Sequence, residues 1–345
     1  MYNPIILGYL EDEALTEINV SDERFNMLTH INYGYGEIAD KDGNVVVNWK
    51  NTDKLAQLKS NFNNIKFSLS IGGWGAGNFS ESAETEEGRK IFSKTAIEIM
   101  KKYKFDGIDV RWEFPCVPNG NIGCHPSDKY NFTLLLETIR NDLDELEKQD
   151  NRKYLLSIAA GAGEFYARCT ELDKVGKIVD YVNILTYDLY ATSPLTGHHC
   201  SLYKSSKAPF SVSGANCVEF FIKKGVSANK IVYGVAFHGR MWSGVEQRGD
   251  GLNRRAYGKI GEFVDYTNIK NDLVMNCEYK QYWDDEAKAA YLFNGYSFIS
   301  YEDCKSIKNK ISFIKDKKLA GLFFGNLLRD RTNELLNTIY KEIKE

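Results

Sequence analysis

The sequence predicts an α/β fold, namely a (β/α)8 TIM barrel with a small α+β insertion between its seventh strand and its seventh helix. Short apolar runs, which are typical of buried parallel strands, alternate along the chain with longer amphipathic stretches. Eight such runs occur, and eight is the number of parallel strands that closes a barrel. Residues 241–300 form a stretch too long for a simple loop, and we assign them to the insertion.

The eight predicted strands are the short apolar runs themselves. The third run ends at Gly72 and Gly73, which favour a turn after the strand. The predicted strands are residues 5–9, 29–33, 66–71, 107–112, 155–160, 181–187, 231–237 and 321–324.

Between these strands the apolar residues recur at helical spacing. Ser127, a residue type that caps helices, begins one predicted helix, and Gly225 follows the end of another. The predicted helices are residues 86–104, 127–149, 213–224 and 327–344. We therefore expect a barrel formed by residues 1–240 and 301–345, with the insertion at 241–300.

Charge and hydropathy exclude several classes of protein. The formal net charge of −3 gives no electrostatic reason to expect a nucleic-acid partner. The longest apolar runs, residues 231–237 and 319–324, are too short to cross a bilayer, so no membrane insertion is expected. Residues 1–10 lack the basic and apolar regions of a signal peptide. We expect an extracellular protein whose signal was removed, with a cytoplasmic location as the alternative.

The cysteines and histidines do not form a recognisable metal motif. None of the seven cysteines has a CxxC spacing, which argues against structural zinc. Pairing of Cys116–Cys124 or Cys200–Cys217 is open, and so is a fully reduced state. His198 and His199 are adjacent without an evident third ligand, so we expect a loop contact there and predict no metal.

The fourth predicted strand carries three charged residues. Because side chains alternate along a strand, Asp109, Arg111 and Glu113 share one face. Charges that face a barrel interior are costly unless they pair or function. Glu113 comes last, at the carboxyl end of the strand, where the catalytic groups of such barrels lie. A structural ion-pair network around Arg111 is the alternative.

Five motifs, spaced along almost the whole chain, carry a resemblance to a known family. In order they are SLSIGGW (68–74), DGIDVRWE (106–113), NILTYD (183–188), GVAFHGR (234–240) and YSFISY (296–301). Together they resemble glycoside hydrolase family 18, the chitinases and their relatives. Several motifs in the right order are far more specific than one motif alone.

The resemblance implies retaining, substrate-assisted hydrolysis, an exception to the two-carboxylate scheme. Glu113 would be the general acid, while the N-acetyl carbonyl of the substrate attacks the anomeric carbon to give an oxazolinium ion. In the family, an aspartate two residues before the glutamate orients the acetamido group and stabilises that cation. Tyr187 would hydrogen-bond the acetamido oxygen, Asp188 would contact the sugar beside it, and Asp109 would support the orienting aspartate. The resemblance implies no metal or cofactor.

Two positions depart from the family pattern at the −1 subsite, which holds the sugar whose anomeric carbon reacts. Arg111 stands where the orienting aspartate is usual, so a permanent cation would repel the oxazolinium ion. Arg111 would also pair with Glu113 or Asp109 and favour the ionised carboxyl, whereas a general acid needs its proton. Gly325 stands where a tryptophan usually forms the floor of the subsite, and His238 replaces a usual tyrosine.

Aromatic residues make up 13% of the chain, and because sugars stack on aromatic rings we expect a glycan-binding groove. Trp74, which follows the two glycines at a strand end, is the firmest candidate. The other predicted groove residues are Tyr33, Tyr35, Phe79, Tyr187, Tyr190, Arg240, Trp242 and Trp283. Core packing is the alternative for each aromatic residue.

The main hypothesis is a monomeric chitinase-like protein that binds chitin or another N-acetylglucosamine glycan, with hydrolysis absent or very weak. Retention of Glu113, Tyr187 and Asp188 supports a second hypothesis, an active retaining endo-chitinase with rearranged contacts in the −1 subsite. A third is a non-enzymatic scaffold, effector or toxin subunit, since a fold alone does not settle function.

Overall fold

The structure is a computed structural model that describes residues 4–118, 122–207 and 212–345. Its strands are β1 (Ile5–Glu11), β2 (His30–Ile38), β3 (Val45–Val46), β4 (Lys66–Gly72), β5 (Gly107–Arg111), β6 (Leu155–Gly161), β7 (Tyr181–Leu185), β8 (Ile231–Val235), β9 (His238–Trp242), β10 (Glu262–Asp265), β11 (Lys280–Asp284), β12 (Ala289–Phe293), β13 (Phe298–Tyr301) and β14 (Gly321–Phe324). Its α-helices are α1 (Thr52–Asn61), α2 (Phe79–Glu84), α3 (Glu86–Lys102), α4 (Asp128–Asp150), α5 (Glu164–Arg168), α6 (Leu172–Ile178), α7 (Gly214–Lys223), α8 (Tyr266–Asn268), α9 (Cys304–Lys317) and α10 (Glu334–Lys344).

Eight parallel strands close into a barrel, which confirms the predicted fold class. They follow one another in the order β1, β2, β4, β5, β6, β7, β8 and β14, and β14 pairs with β1 to complete the circle. Apolar side chains fill the interior, among them Leu7, Tyr9, Val232 and Phe323. A larger core lies between the strands and the surrounding helices, where Leu135, like most of its neighbours, is fully buried.

A second sheet of five antiparallel strands follows β8 and has the order β10, β9, β13, β12 and β11. Trp242, Tyr291 and Phe298 form its own small core. Strand β9 begins only three residues after β8 ends, so it continues from the carboxyl end of the barrel. The sheet therefore brings side chains of β9 and β10 to the mouth of the barrel.

The last helix begins later than predicted. A single 3-10 turn, Leu327–Arg329, follows β14, and α10 starts only at Glu334. Asp330 lies between them, and its buried carboxylate accepts the backbone N–H groups of Leu335 and Leu336 at 2.9 and 3.2 Å. These bonds satisfy donors that a helix start leaves unpaired, so the chain turns here instead of continuing as one helix.

All seven cysteines are free thiols, so neither of the two possible disulfides is formed. Cys200 and Cys217 are buried, and burial raises the pKa of each thiol. None of the helices in the described ranges combines the length and the apolar character needed to cross a membrane.

Candidate active site

A cleft of about 850 Å³ opens at the carboxyl end of the barrel strands, where enzymes of this fold carry their active sites. It gathers residues from distant parts of the chain, because each strand delivers its last side chains to the same rim. The predicted site residues on its walls are Tyr35, Trp74, Arg111, Glu113, Tyr187, Asp188, Arg240 and Gly325.

Asp109 lies fully buried beneath the cleft. The parallel register aligns it with Ser70 of β4 and Ser157 of β6, in one layer across three strands. Its carboxylate accepts hydrogen bonds from Ser157 Oγ at 2.6 Å, Ser70 Oγ at 2.8 Å and Asn183 Nδ2 at 3.2 Å. Burial raises the pKa of Asp109, and these hydrogen bonds oppose that effect. The sequence motifs contain Ser70 and Asn183 but not Ser157, and only the register shows that all three donors meet at one carboxylate.

Arg111 and Glu113 form a close ion pair inside the cleft. Arg111 Nε donates to Glu113 Oε1 at 2.6 Å, and the two side chains are only 15% and 6% exposed. The guanidinium also donates to the Tyr35 hydroxyl and lies 5.1 Å from the centre of the Tyr9 ring. The carboxyl group that the resemblance assigns as general acid is therefore held against a cation inside the cleft.

Asp188 is the centre of a second network. Arg240 donates to both of its carboxylate oxygens, at 2.7 and 2.6 Å. His238 Nε2 and His199 Nδ1 lie 3.0 and 3.2 Å from Oδ1. Burial disfavours the charge on Asp188, but the hydrogen bonds outweigh it and hold its pKa far below the usual range. Burial lowers the pKa of His199 to about 4, and it lowers that of His238 as well.

Within the residues that the structure describes, this cluster also holds three side chains that could ligate a metal ion. Asp188, His199 and His238 each offer one ligand atom, all within 4.8 Å of one another. The Arg240 guanidinium, however, is bonded to both oxygens of the carboxylate. A divalent cation would have to displace the guanidinium or lie beside it. The cluster is therefore better suited to a hydrogen-bonded Asp188 carboxylate than to a bound metal ion.

The floor of the cleft is open at Gly325. A Cβ atom built there would meet no atom within 4 Å apart from those of its chain neighbours, so a side chain could begin there without a clash. Phe263 and Arg329 line the same cleft and were not predicted. The Arg329 guanidinium lies 4.2 Å from the centre of the Phe263 ring. Phe263 reaches the site only through the pairing of β10 with β9, which no local sequence signal reports.

Three predicted groove residues are in the core, and for these the prediction was wrong. Tyr33 is fully buried, and its hydroxyl donates to Asp12 at 2.6 Å. The register of β2 against β4 is irregular between residues 33 and 36, so Tyr35 joins the barrel interior while Tyr33 faces the helices. Phe79 stacks on Trp112 at 5.2 Å, and Trp242 is in the core of the second sheet.

The remaining predicted aromatics differ in their position. Trp74 is 77% exposed on the cleft wall and makes an edge contact with Phe114, at a ring distance of 5.2 Å. Tyr190 is half-buried against Gly197 and does not line the cleft. Trp283 also lies outside the cleft, with the Lys305 ammonium 3.8 Å above its ring. Trp74 is therefore the most exposed of the predicted aromatic residues that line the cleft.

Comparison with known proteins points to one family. Residues 5–330 match the family model described as Glycosyl hydrolases family 18. Chitinase A1 of Niallia circulans is 38% identical over 313 residues, which are 85% of this chain and 44% of that protein. The chain thus spans less than half the length of this relative.

Solved structures agree with that match. An N-acetylglucosaminidase of the same family from Paenibacillus barengoltzii is 38% identical, with a TM-score of 0.94 over 99% of this chain and 100% of that one. A chitinase from Paenibacillus sp. str. FPU-7, described as a cell-surface-expressed multi-modular enzyme machinery, is 35% identical with a TM-score of 0.92. The match covers 99% of this chain and 43% of that one.

Proposed function

This chain belongs to glycosyl hydrolases family 18, and from that premise we propose that it binds chitin or another N-acetylglucosamine glycan while hydrolysing it little or not at all. The proposal includes a monomeric protein that acts outside the cell, as a binder of an extracellular polymer would. It rests on one observation above all, the ion pair between Arg111 and Glu113.

The ion pair opposes substrate-assisted hydrolysis in two ways. It occupies the carboxyl that would protonate the glycosidic oxygen, and it places a permanent positive charge where the reaction develops positive charge. Loss of one group that stabilises a transition-state charge costs about 10²–10³ in rate, and a reversal of its sign should cost more. The open floor at Gly325 removes a stacking surface from the same subsite.

Glycan binding needs less of the site than hydrolysis does. Trp74 and Tyr35 line the cleft, and exposed or partly exposed rings of this kind offer flat surfaces for sugar stacking. Trp74 stands just beyond the end of β4, whereas the Tyr35 hydroxyl accepts a hydrogen bond from Arg111. These contacts support binding without turnover.

An active enzyme is the second candidate. Asp109 keeps a full set of hydrogen-bond donors, and Tyr187 and Glu113 both line the cleft. Hydrolysis would then require a ligand that breaks the ion pair and another group that stabilises the oxazolinium ion.

Titration calorimetry with chitin hexasaccharide, followed by product analysis of the same sample, tests the proposal. We expect heat of binding at a 1:1 ratio and an intact hexasaccharide after prolonged incubation. Rapid release of shorter products would favour the active enzyme instead. Absence of both binding and cleavage would favour the scaffold hypothesis and contradict the proposal.

Trp74→Ala tests where the glycan binds. Loss of an aromatic stacking surface should weaken hexasaccharide binding by about 1–3 kcal/mol, by analogy with base stacking. Trp283→Ala is the matched control, since Trp283 lies outside the cleft. Equal affinity of the two variants would place the ligand elsewhere.

A further inference from the structure

Three arginines line the cleft, and two of them are neutralised there. Arg111 pairs with Glu113 at 2.6 Å, and Arg240 pairs with both oxygens of Asp188. Arg329 is different. Its nearest acidic partner is Asp265 at 3.9 Å, beyond hydrogen-bond distance, and that carboxylate is 44% exposed to water. Within the described part of the chain, the Arg329 guanidinium donates no side-chain hydrogen bond.

The position of the Arg329 side chain is nevertheless defined. Its guanidinium lies 4.2 Å from the centre of the Phe263 ring, a cation–π contact that holds the planar group against the cleft wall. The side chain is only 32% exposed. Phe263 also stacks on His238, at a ring distance of 4.5 Å, so the ring is itself held in place.

Open space lies beside this cation. Gly325 and Asn326 line the cleft four and three residues before Arg329, and a Cβ on Gly325 would touch nothing within 4 Å. A sugar in the −1 subsite therefore has room for a substituent on this side. Guanidinium groups bind carboxylates through two parallel N–H bonds, a match that a neutral hydroxyl does not provide.

We propose that Arg329 recognises a carboxylate on the bound glycan, so that the preferred ligand is an N-acetylhexosamine oligosaccharide carrying acidic substituents. This rests on the proposed glycan binding, and it adds the chemical class of the ligand. Recognition is by charge and hydrogen bonding, and no covalent bond is formed or broken.

Glu11 restricts where the carboxylate can lie. It stands at the end of β1 and also lines the cleft. Glu11 aligns with Gly34 of the neighbouring strand, so it is on the side of the cleft formed by β1 and β2. Arg329 follows β14, which lies between β8 and β1 in the barrel, and it rests on Phe263 of β10. The negative charge of Glu11 disfavours a carboxylate next to it, so the acidic substituent is expected beside Phe263.

The test compares three hexasaccharides by calorimetry. The first is neutral chitin hexasaccharide, the second has 3-O-lactyl carboxylates on alternate sugars, and the third has those carboxyls reduced to alcohols. We expect the carboxylate form to bind about 10- to 100-fold more tightly than its reduced form, as one charge-assisted bidentate contact implies. This ratio should fall as salt is raised.

Arg329→Gln should bring that affinity ratio close to one, whereas Arg331→Gln should keep it. Arg331 is the matched control because it pairs with Glu17 outside the cleft. Melting temperatures of both variants show that each is folded. A ratio near one in the unmodified protein, or one that survives Arg329→Gln, contradicts the inference while neutral binding still supports the proposed function. Absence of binding by all three ligands contradicts both.

Discussion

Arg111 contacts three neighbours in the cleft. It bonds to Glu113 and Tyr35, and its guanidinium faces the Tyr9 ring. The sequence alone shows that a cation stands two residues before the glutamate, and the alternation of a strand places both on one face. The sequence leaves open whether Arg111 pairs with Glu113 or with Asp109, because the partner depends on side-chain torsions. The structure shows that the pair is with Glu113.

Two residues of the cleft, Phe263 and Arg329, could not be identified from the local sequence. Glu113, Asp188 and Trp74 stand at predicted strand ends, where the fold itself directs attention. Phe263 and Arg329 reach the cleft because of the antiparallel pairing in the second sheet and the turn after β14. None of the five sequence motifs contains either residue, so only the tertiary structure identifies them.

Buried His199 should make the stability of the protein depend on pH. Burial lowers the pKa of His199 from 6.5 to about 4. Between these values the unfolded chain binds a proton that the folded chain does not, so the free energy of unfolding rises with pH and is lost as the pH falls. We expect about 2 kcal/mol from His199 between pH 5 and pH 6.5.

Urea unfolding at several pH values measures this effect. His199→Gln should flatten the rise by about that amount, while His125→Gln, which changes an exposed histidine, should leave it as in the unmodified chain. Another histidine, His30, also has its pKa lowered to about 4 by burial, so a part of the rise should remain. A slope that His199→Gln does not alter would contradict the account of this cluster.

At the scale of elements, strands were better predicted than helix boundaries. The eight barrel strands are apolar runs buried on both faces, a signal that survives without tertiary information. The start of α10 is set instead by Asp330, whose side chain folds back on the helix that follows it. Helical periodicity continues through residues 327–333, so the pattern alone predicts one helix that is too long.

Removal of the Asp330 carboxylate should destabilise the protein through the start of α10. The buried carboxylate accepts N–H groups of Leu335 and Leu336 and the hydroxyl of Thr332. We expect Asp330→Ala to lower the free energy of unfolding by about 1–2 kcal/mol, as loss of a helix cap does. Asp316→Ala on the exposed face of α9 is the control. Equal urea midpoints for the two variants would show that Asp330 does not fix the helix start.

The prediction of groove residues failed where the strands are irregular. Tyr33 and Tyr35 both belong to β2, and regular alternation would put them on one face. The shifted register between residues 33 and 36 separates them, with one ring in each core. Trp242 stands close to the carboxyl end of β8 in sequence. It belongs to β9, however, and its side chain packs in the core of the second sheet.

At the scale of the whole molecule, the family and the barrel follow from motifs that the sequence displays in order. The match over residues 5–330 and the closed barrel agree with that reading. Activity is a different matter, because the fold is retained while the groups at one subsite differ. The resemblance implies other residues at the positions of Arg111 and Gly325. The cleft is kept in spite of these differences, because neither residue belongs to the hydrophobic core.

We propose that Arg111, together with the open floor at Gly325, prevents hydrolysis. Release of shorter products from chitin hexasaccharide should be measured for the unmodified chain, Arg111→Asp and the double variant with Gly325→Trp. The space at Gly325 admits a larger side chain without a clash at Cβ. Glu113→Gln in the double variant is the control, since it removes the general acid. We expect an inert or very slow unmodified chain and a double variant that is faster by at least about 10²-fold, an increase that the control abolishes. A double variant that binds the hexasaccharide and remains inert would contradict it.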